Sequence, residues 1–283
     1  MTVLLLAASF SLVIGVVLGM LGGGGAILML PMLVYVVGLE PKAAIATSLF
    51  VVGATSAVGM TVHARARTVR WKVGGMFGLA AMVGAYGGSQ IAHFIAANVL
   101  LVLFGIVMVV TAIAMLNGRQ AGAAAPQTLR LGRAIGLGVA VGVLSGLVGA
   151  GGGFLIVPAL TLFGGLAIRE AIGTSLFVIA LQSFAGFAGH IAHVDLEWTL
   201  VPVITATSVV GTVGGAMLGS KLSPHGLRRG FAWLVIAMGL FMLAKQLPAA
   251  VAAIAAALTL LAIFLVSRKT RKPAPSPAGD STS

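Results

Sequence analysis

The sequence predicts an all-α polytopic membrane protein made of two inverted-topology repeats, on three observations. Apolar runs of membrane-crossing length follow one another almost without pause, the second half repeats the first in one register, and basic residues alternate between matched loops. Of 283 residues, 59% are hydrophobic and 8% charged, and the mean hydropathy is +1.14. A soluble domain carries about 25% charged residues, and about 18 consecutive apolar residues suffice for a membrane span. Residues 43–62, 73–92, 98–117, 171–189, 199–219, 229–244 and 248–266 are such runs.

The repeat is read by shifting the chain by 127 residues, which aligns the halves without a gap from about Gly15 to Met115. "GMLGGGGAILMLPML" at Gly19–Leu33 falls on "GLVGAGGGFLIVPAL" at Gly146–Leu160, and "TSLF" at Thr47–Phe50 falls on "TSLF" at Thr174–Phe177. Gly59, His63 and Trp71 fall on Gly186, His190 and Trp198, and Gly84, Gly87 and Gly88 on Gly211, Gly214 and Gly215. A gapless register that includes His, Trp, Pro and a tetrapeptide marks a duplication.

Charge orients the copies. The loop His63–Lys72 holds Arg65, Arg67, Arg70 and Lys72, whereas its counterpart His190–Trp198 holds Asp195 and Glu197 and no Lys or Arg. The next matched pair is reversed: 93–102 carries no Lys or Arg, and 220–229 carries Lys221, Arg228 and Arg229. Lys- and Arg-rich loops stay cytoplasmic, so matched loops lie on opposite faces. The first repeat occupies 1–117, a cytoplasmic connector 118–133, and the second repeat 134–246. An extra transmembrane helix at 247–266 delivers "RKTRK" to the cytoplasm, and a Pro-rich tail at 267–283 reads as disordered.

Parity then requires each glycine-broken segment, about 3–38 and 134–166, to enter and leave on one side. Limbs of about 15 to 18 residues, about 22 to 27 Å of helix, are short for a hydrocarbon core of about 30 Å. Each segment is therefore expected to be a helical hairpin whose glycine tip points toward the midplane. Irregular backbone survives at that depth only inside protein or along a cavity. The helix after each tip begins near Gly25 or Gly152, so first-turn N–H groups face the centre and attract anions. Close helix packing is the competing reading of such glycines. It is the preferred one for Gly74/Gly78, Gly84/Gly88, Gly211/Gly215 and Gly215/Gly219.

The helices that carry TSLF add a polar stripe. Ser48, Thr55, Ser56, Gly59 and His63 share their offsets with Ser175, Gln182, Ser183, Gly186 and His190. At 100° per residue both sets lie within an arc of about 100°. Taken singly, each hydroxyl can bond back to its own helix. As a duplicated stripe they are expected to line a pathway. His63 and His190 read as loop-capping or interfacial residues, with a proton relay through His190 and His193 as the second option.

The absences narrow the function. No cysteine is present, which removes disulfides, thiolate metal sites and cysteine nucleophiles. The acids Glu40, Glu170, Asp195, Glu197 and Asp280 lie in loops or at helix ends, whereas cation-driven carriers commonly bury a carboxylate. No metal, cofactor or catalytic set is expected, and the net charge of +12 reads as membrane orientation rather than nucleic-acid binding. The first apolar run starts without a basic n-region and belongs to the repeat, so it does not read as a signal peptide.

On the duplicated glycine-cluster-to-proline motif followed by TSLF, the chain over about residues 10 to 245 resembles the TauE/SafE family of sulfite exporters. The resemblance implies permeation of small sulfur-containing anions such as sulfite, sulfoacetate or related organosulfonates across the bacterial inner membrane. The tips differ, GGGGA in the first copy and GAGGG in the second, which implies that substrate is held asymmetrically. The expected reading is a secondary transporter or facilitator without enzymatic activity, embedded in the lipid bilayer and taking a small anionic substrate. Its substrate-binding residues are expected to be Gly22, Gly23, Gly24, Gly25, Thr47 and Ser48 of the first copy. From the second copy they are Gly149, Gly151, Gly152, Gly153, Thr174, Ser175 and Gln182. A non-transporting membrane binding or assembly subunit is the alternative, and oligomeric state is left open.

Overall fold

The computed structural model describes residues 2–21, 24–117, 131–149, 152–162, 165–219, 224–248 and 259, and these are helical with short connections. The first half runs through α1 (Thr2–Leu21), a 3₁₀ turn (Gly24–Leu28), α2 (Met29–Met32) and a π-helical turn (Leu33–Val37). It continues with α3 (Pro41–Arg65), α4 (Trp71–Ala92) and α5 (Ala97–Asn117). The second half comprises α6 (Leu131–Val148), α7 (Gly153–Leu162), α8 (Ile168–His190), α9 (Val201–Gly219) and α10 (Pro224–Gln246). Six of the expected spans thus fall on α3, α4, α5, α8, α9 and α10. The connector residues 118–130, the expected extra helix apart from Pro248 and Thr259 (with Leu247), and the tail lie outside the described residues.

Each glycine-broken segment consists of two helical limbs joined at the glycines, but the limbs are unequal. The outward limbs α1 and α6 have 20 and 18 residues, whereas α7 has only 10. The expected limb length of about 15 to 18 residues is corrected for α7. The first part of each outward limb carries its exposed residues, whereas residues 14–21 and 141–149 are buried or half-buried. The return limb is enclosed, with Gly25–Ile27 and Met29–Leu33 buried, and need only lead the chain back to the next helix. Both return limbs end alike: Leu39 N–H bonds Leu33 O at 3.0 Å, Leu166 N–H bonds Leu160 O at 3.2 Å, and Gly38 and Gly165 are left-handed.

Packing follows the glycines and exchanges the halves. On α1, Gly15 and Gly19 lie against the Ser208 and Thr212 backbone of α9. On α6, Gly142 and Gly146 lie against the Ala81 and Ala85 backbone of α4. Subtracting 127 converts each second-half partner into its first-half counterpart, so the two interfaces are one interface made twice. Gly211 and Gly215 meet Leu12 and Val16, and Gly84 and Gly88 meet Val139 and Val143, in the same exchanged register. Hydroxyls tighten the first interface, Ser208 donating to Ser11 O at 3.2 Å and Thr212 to Gly15 O at 3.1 Å. Trp71 meets Phe177 edge-on at 5.1 Å, and the counterparts Phe50 and Trp198 meet at 6.5 Å. The phenylalanine of each TSLF thus packs on the tryptophan of the other half.

The matched helices α3 and α8 run antiparallel. His63, near the end of α3, lies against Gly173, near the start of α8, and Leu49, near the start of α3, lies against Gly186. Arg70, just after α3, forms an ion pair of 2.6 Å with Glu170 at the start of α8. Outside this packing the helices present apolar side chains: Val83 is 71% exposed, and Met217 and Val210 are each 65% exposed. Inside, they bury Ser48, Ser56, Gln182 and Ser183 at 0% exposure. Apolar residues outside and polar residues inside suit a hydrocarbon surround rather than water. Leu4–Leu21, Pro41–Arg65, Arg169–His190 and Val201–Leu218 are long and apolar enough to cross a membrane. The chain is a multi-pass membrane protein.

Candidate functional site

The second tip is described at Gly149, Gly152 and Gly153. Gly149 and Gly152 have φ of +71° and +59°, a conformation that favours glycine because a Cβ would crowd the following carbonyl. These two left-handed residues stand at the end of α6 and the start of α7, and their side-chain-free backbone approaches its neighbours closely. A Cβ at Gly149 would lie 2.8 Å from Ile45 Cα on α3, and one at Gly152 would lie 2.5 Å from Gln182 Nε2 on α8. Gln182 therefore stands beside Gly152. It lies eight residues before the end of α8, about 12 Å along the axis, so this tip is nearer the His190 end of α8 than its start.

Of the first tip, Gly24 and Gly25 are described, whereas Gly22, Gly23 and Gly151 lie outside the described residues. Gly25 is pressed onto its own outward limb, where a Cβ would fall on Leu18 N and 2.7 Å from Ile14 O. The limb that follows opens as a 3₁₀ turn and only then becomes α2, four residues long. A helix thus begins near Gly25 as expected, in 3₁₀ rather than α form. The α-helical start near Gly152 is present, at Gly153. The two return limbs touch in the interior, Gly24–Leu28 against Gly153–Leu162.

The TSLF stripe divides into distinct environments. Thr174 Oγ1 accepts Arg70 N–H at 2.9 Å, which caps the loop that leads into α4. Ser175 donates to Ile172 O at 2.8 Å and Thr55 to Val51 O, each bonding back one turn in its own helix. Thr47 is buried. Ser48, Ser56 and Ser183 are buried with no hydrogen-bond partner for the hydroxyl. Ser48 lies three residues after Ile45, on the same face of α3 that meets Gly149.

The histidines also separate. His63 stays with its loop, where Thr68 donates to His63 O at 3.0 Å, the capping role expected of it. His190 does not cap a loop: buried on α8, its Nε2 donates to Gly146 O at 2.8 Å and ties α8 to α6. His193 stacks on His93, with ring centroids 4.3 Å apart, and Lys42 donates to His93 O at 2.8 Å. Among the described residues no group of three or more His, Cys, Asp or Glu side chains converges as a metal site would require. An open cleft of about 440 Å³ between α3, α4 and α8 is lined by Met60, Met82, Phe177, Leu181 and Phe184. Its apolar walls give an anion nothing to bind.

Sequence reasoning missed Ser145. It is 2% exposed on α6, its hydroxyl has no hydrogen-bond partner, and Oγ lies 3.4 Å from where a Gly152 Cβ would stand. The signal available was its place one turn before the tip, where the first copy has Leu18.

The sequence model described as "Sulfite exporter TauE/SafE" matches residues 7–242. A "probable membrane transporter protein" of Xylella fastidiosa (strain 9a5c) is 35% identical over 81% of this chain and 91% of that protein. One of Methanocaldococcus jannaschii is 30% identical over 84% of this chain and 96% of its own length. A third, of Bacillus subtilis, is 30% identical over 74% and 86%. No solved structure matches the chain. With its motifs, its exchanged glycine interfaces and a match over nearly the whole length, the chain belongs to the TauE/SafE sulfite exporter family of membrane transport proteins.

Proposed function

We propose that the protein carries small sulfur-containing oxyanions, such as sulfite, sulfoacetate or related organosulfonates, along a path between its two glycine tips. The observation that carries this reading is the character of the interior. The buried polar side chains among the described residues are hydroxyls, the Gln182 amide and His190, without a buried acid, lysine or arginine. Neutral donors suit an anion, whereas a cation entering this interior would meet no counter-charge. Binding by dipoles alone is weak and reversible, as transport requires. No catalytic step belongs to this reading.

The same reading takes the halves, 1–117 and 134–246, as inverted repeats. An operation that exchanges the two glycine interfaces and restores them when applied twice is a two-fold rotation. The antiparallel directions of α3 and α8 support an axis in the membrane plane. With basic loops inward, the Arg65–Lys72 loop and the C-terminus face the cytoplasm of a bacterial cell. Alternating access then moves one half against the other around the tips. Proteoliposomes holding the purified protein are expected to accumulate radiolabelled sulfite or sulfoacetate several-fold above protein-free vesicles. Accumulation of neither anion by correctly folded protein would overturn the substrate assignment.

A further inference from the structure

We infer that the oxyanion is held by the second tip rather than shared between the two, and that Ser145 is a specificity-determining contact there. The inference rests on the anion-transport reading and deepens it. At the second tip three kinds of neutral donor converge. The α7 helix, 10 residues long, starts at Gly153. Leu155 and Ile156 N–H groups both return to Gly152 O, so the N–H groups of Gly153 and Phe154 lie ahead of the first intrahelical bonds. Gln182 Nε2 lies 2.5 Å and Ser145 Oγ 3.4 Å from the position a Gly152 Cβ would take. Without a Cβ at Gly152 the amide and the hydroxyl close on the start of α7, and Ser145 is buried with its hydroxyl unpartnered. A buried hydroxyl normally finds an acceptor, and an anion supplies one.

The first tip lacks this set at every matched position. Leu18 stands where the second half has Ser145. Thr55 stands where it has Gln182, and the Thr55 hydroxyl is engaged by Val51 O. Gly25 lies against the α1 backbone, and its limb begins as a 3₁₀ turn rather than an α-helix. The duplication has therefore diverged into a polar tip that binds and an apolar tip that closes the path. The ligand class follows from the donors. With no side-chain cation among them, the site suits a singly charged oxyanion such as hydrogensulfite or a simple alkanesulfonate in preference to the doubly charged sulfoacetate, because burying a second uncompensated charge is far more costly.

The test is a titration of melting temperature for the purified full-length protein with sodium methanesulfonate and with sodium sulfite, against sodium chloride at equal ionic strength. Wild type is expected to be stabilised beyond chloride. Ser145→Ala should raise the apparent Kd about tenfold or more, as loss of a hydrogen bond to a charged group does. Ser11→Ala removes another buried, unpartnered hydroxyl away from the tips and should leave the Kd unchanged, which separates binding from packing. An equal Kd for Ser145→Ala and wild type overturns the inference and leaves the transport reading standing. If neither anion stabilises wild type beyond chloride, the anion reading falls and this inference with it.

Discussion

Replacing Gly146 by leucine is expected to destabilise the folded protein severely. Gly146 lies on the α6 face that packs on α4, and a Cβ there would overlap the Ala85 carbonyl oxygen and stand 2.8 and 2.9 Å from Ala85 C and Cα. The colliding atoms are backbone, so no rotamer change can relieve them and the helices must part. Gly146 O also accepts the bond from His190, which parting would break, leaving a buried imidazole unpaired. Overpacking typically costs about 1–3 kcal/mol, and here the upper figure of roughly 3 kcal/mol or more is expected. At about 2–4 °C per kcal/mol for a chain of this size, that is a melting decrease of roughly 10 °C, or no monodisperse peak on chromatography in detergent. Gly19→Leu should fail in the same way, since a Cβ there would lie 2.8 Å from Ala216 N. Gly87→Ala and Gly214→Ala, where nothing lies within 4 Å of the added atom, should melt like wild type. Equal tolerance of all four changes would show that the exchanged interfaces do not hold the halves together.

Gly152→Ala should separate function from folding. Its φ of +59° costs a non-glycine residue about 1–2 kcal/mol, a moderate loss. The atom that its Cβ meets at 2.5 Å is Gln182 Nε2, the far end of a flexible side chain, which can swing away. The expected product is a folded protein, melting a few degrees lower, whose amide no longer faces the tip. Loss of one hydrogen bond to a charged substrate is worth about 1.5–3 kcal/mol, so sulfite flux at subsaturating concentration should fall about 10- to 100-fold. Gly149→Ala makes the contrast, because its added atom meets Ile45 Cα at 2.8 Å and stability should fall along with flux. Normal flux through a folded Gly152→Ala protein would remove the second tip from the pathway.

Much of the architecture was legible before any coordinates. A 127-residue shift that aligns Gly15 and Gly19 with Gly142 and Gly146 contains the interfaces, because small residues four apart allow helix backbones to meet. Which helices they join was not legible. Nothing in Gly15 itself points to Ser208 rather than to a neighbour within its own half. The polar stripe was legible as a face but not as a function. Periodicity places Ser48 and Ser175 at the same angle, yet Ser175 donates to Ile172 O while Ser48 Oγ has no partner. A hydroxyl's choice between its own helix and a neighbour depends on local backbone and packing. The asymmetry of the tips was visible as GGGGA against GAGGG. Its physical content, Ser145 and Gln182 converging on a left-handed Gly152, depends on dihedrals and on the approach of α6 to α8.

The central claim is that the two halves face opposite ways across one membrane, so that a single path can open to either side. The chain has no cysteine, and Ala66 and Ala192 are exposed residues of the matched loops after α3 and α8. Ala66→Cys and Ala192→Cys, each made alone and treated in intact cells with a membrane-impermeant maleimide, test the claim most directly. The account predicts that Ala192→Cys is labelled at once and Ala66→Cys only after the membrane is permeabilised. Labelling of both positions from the same side would contradict it.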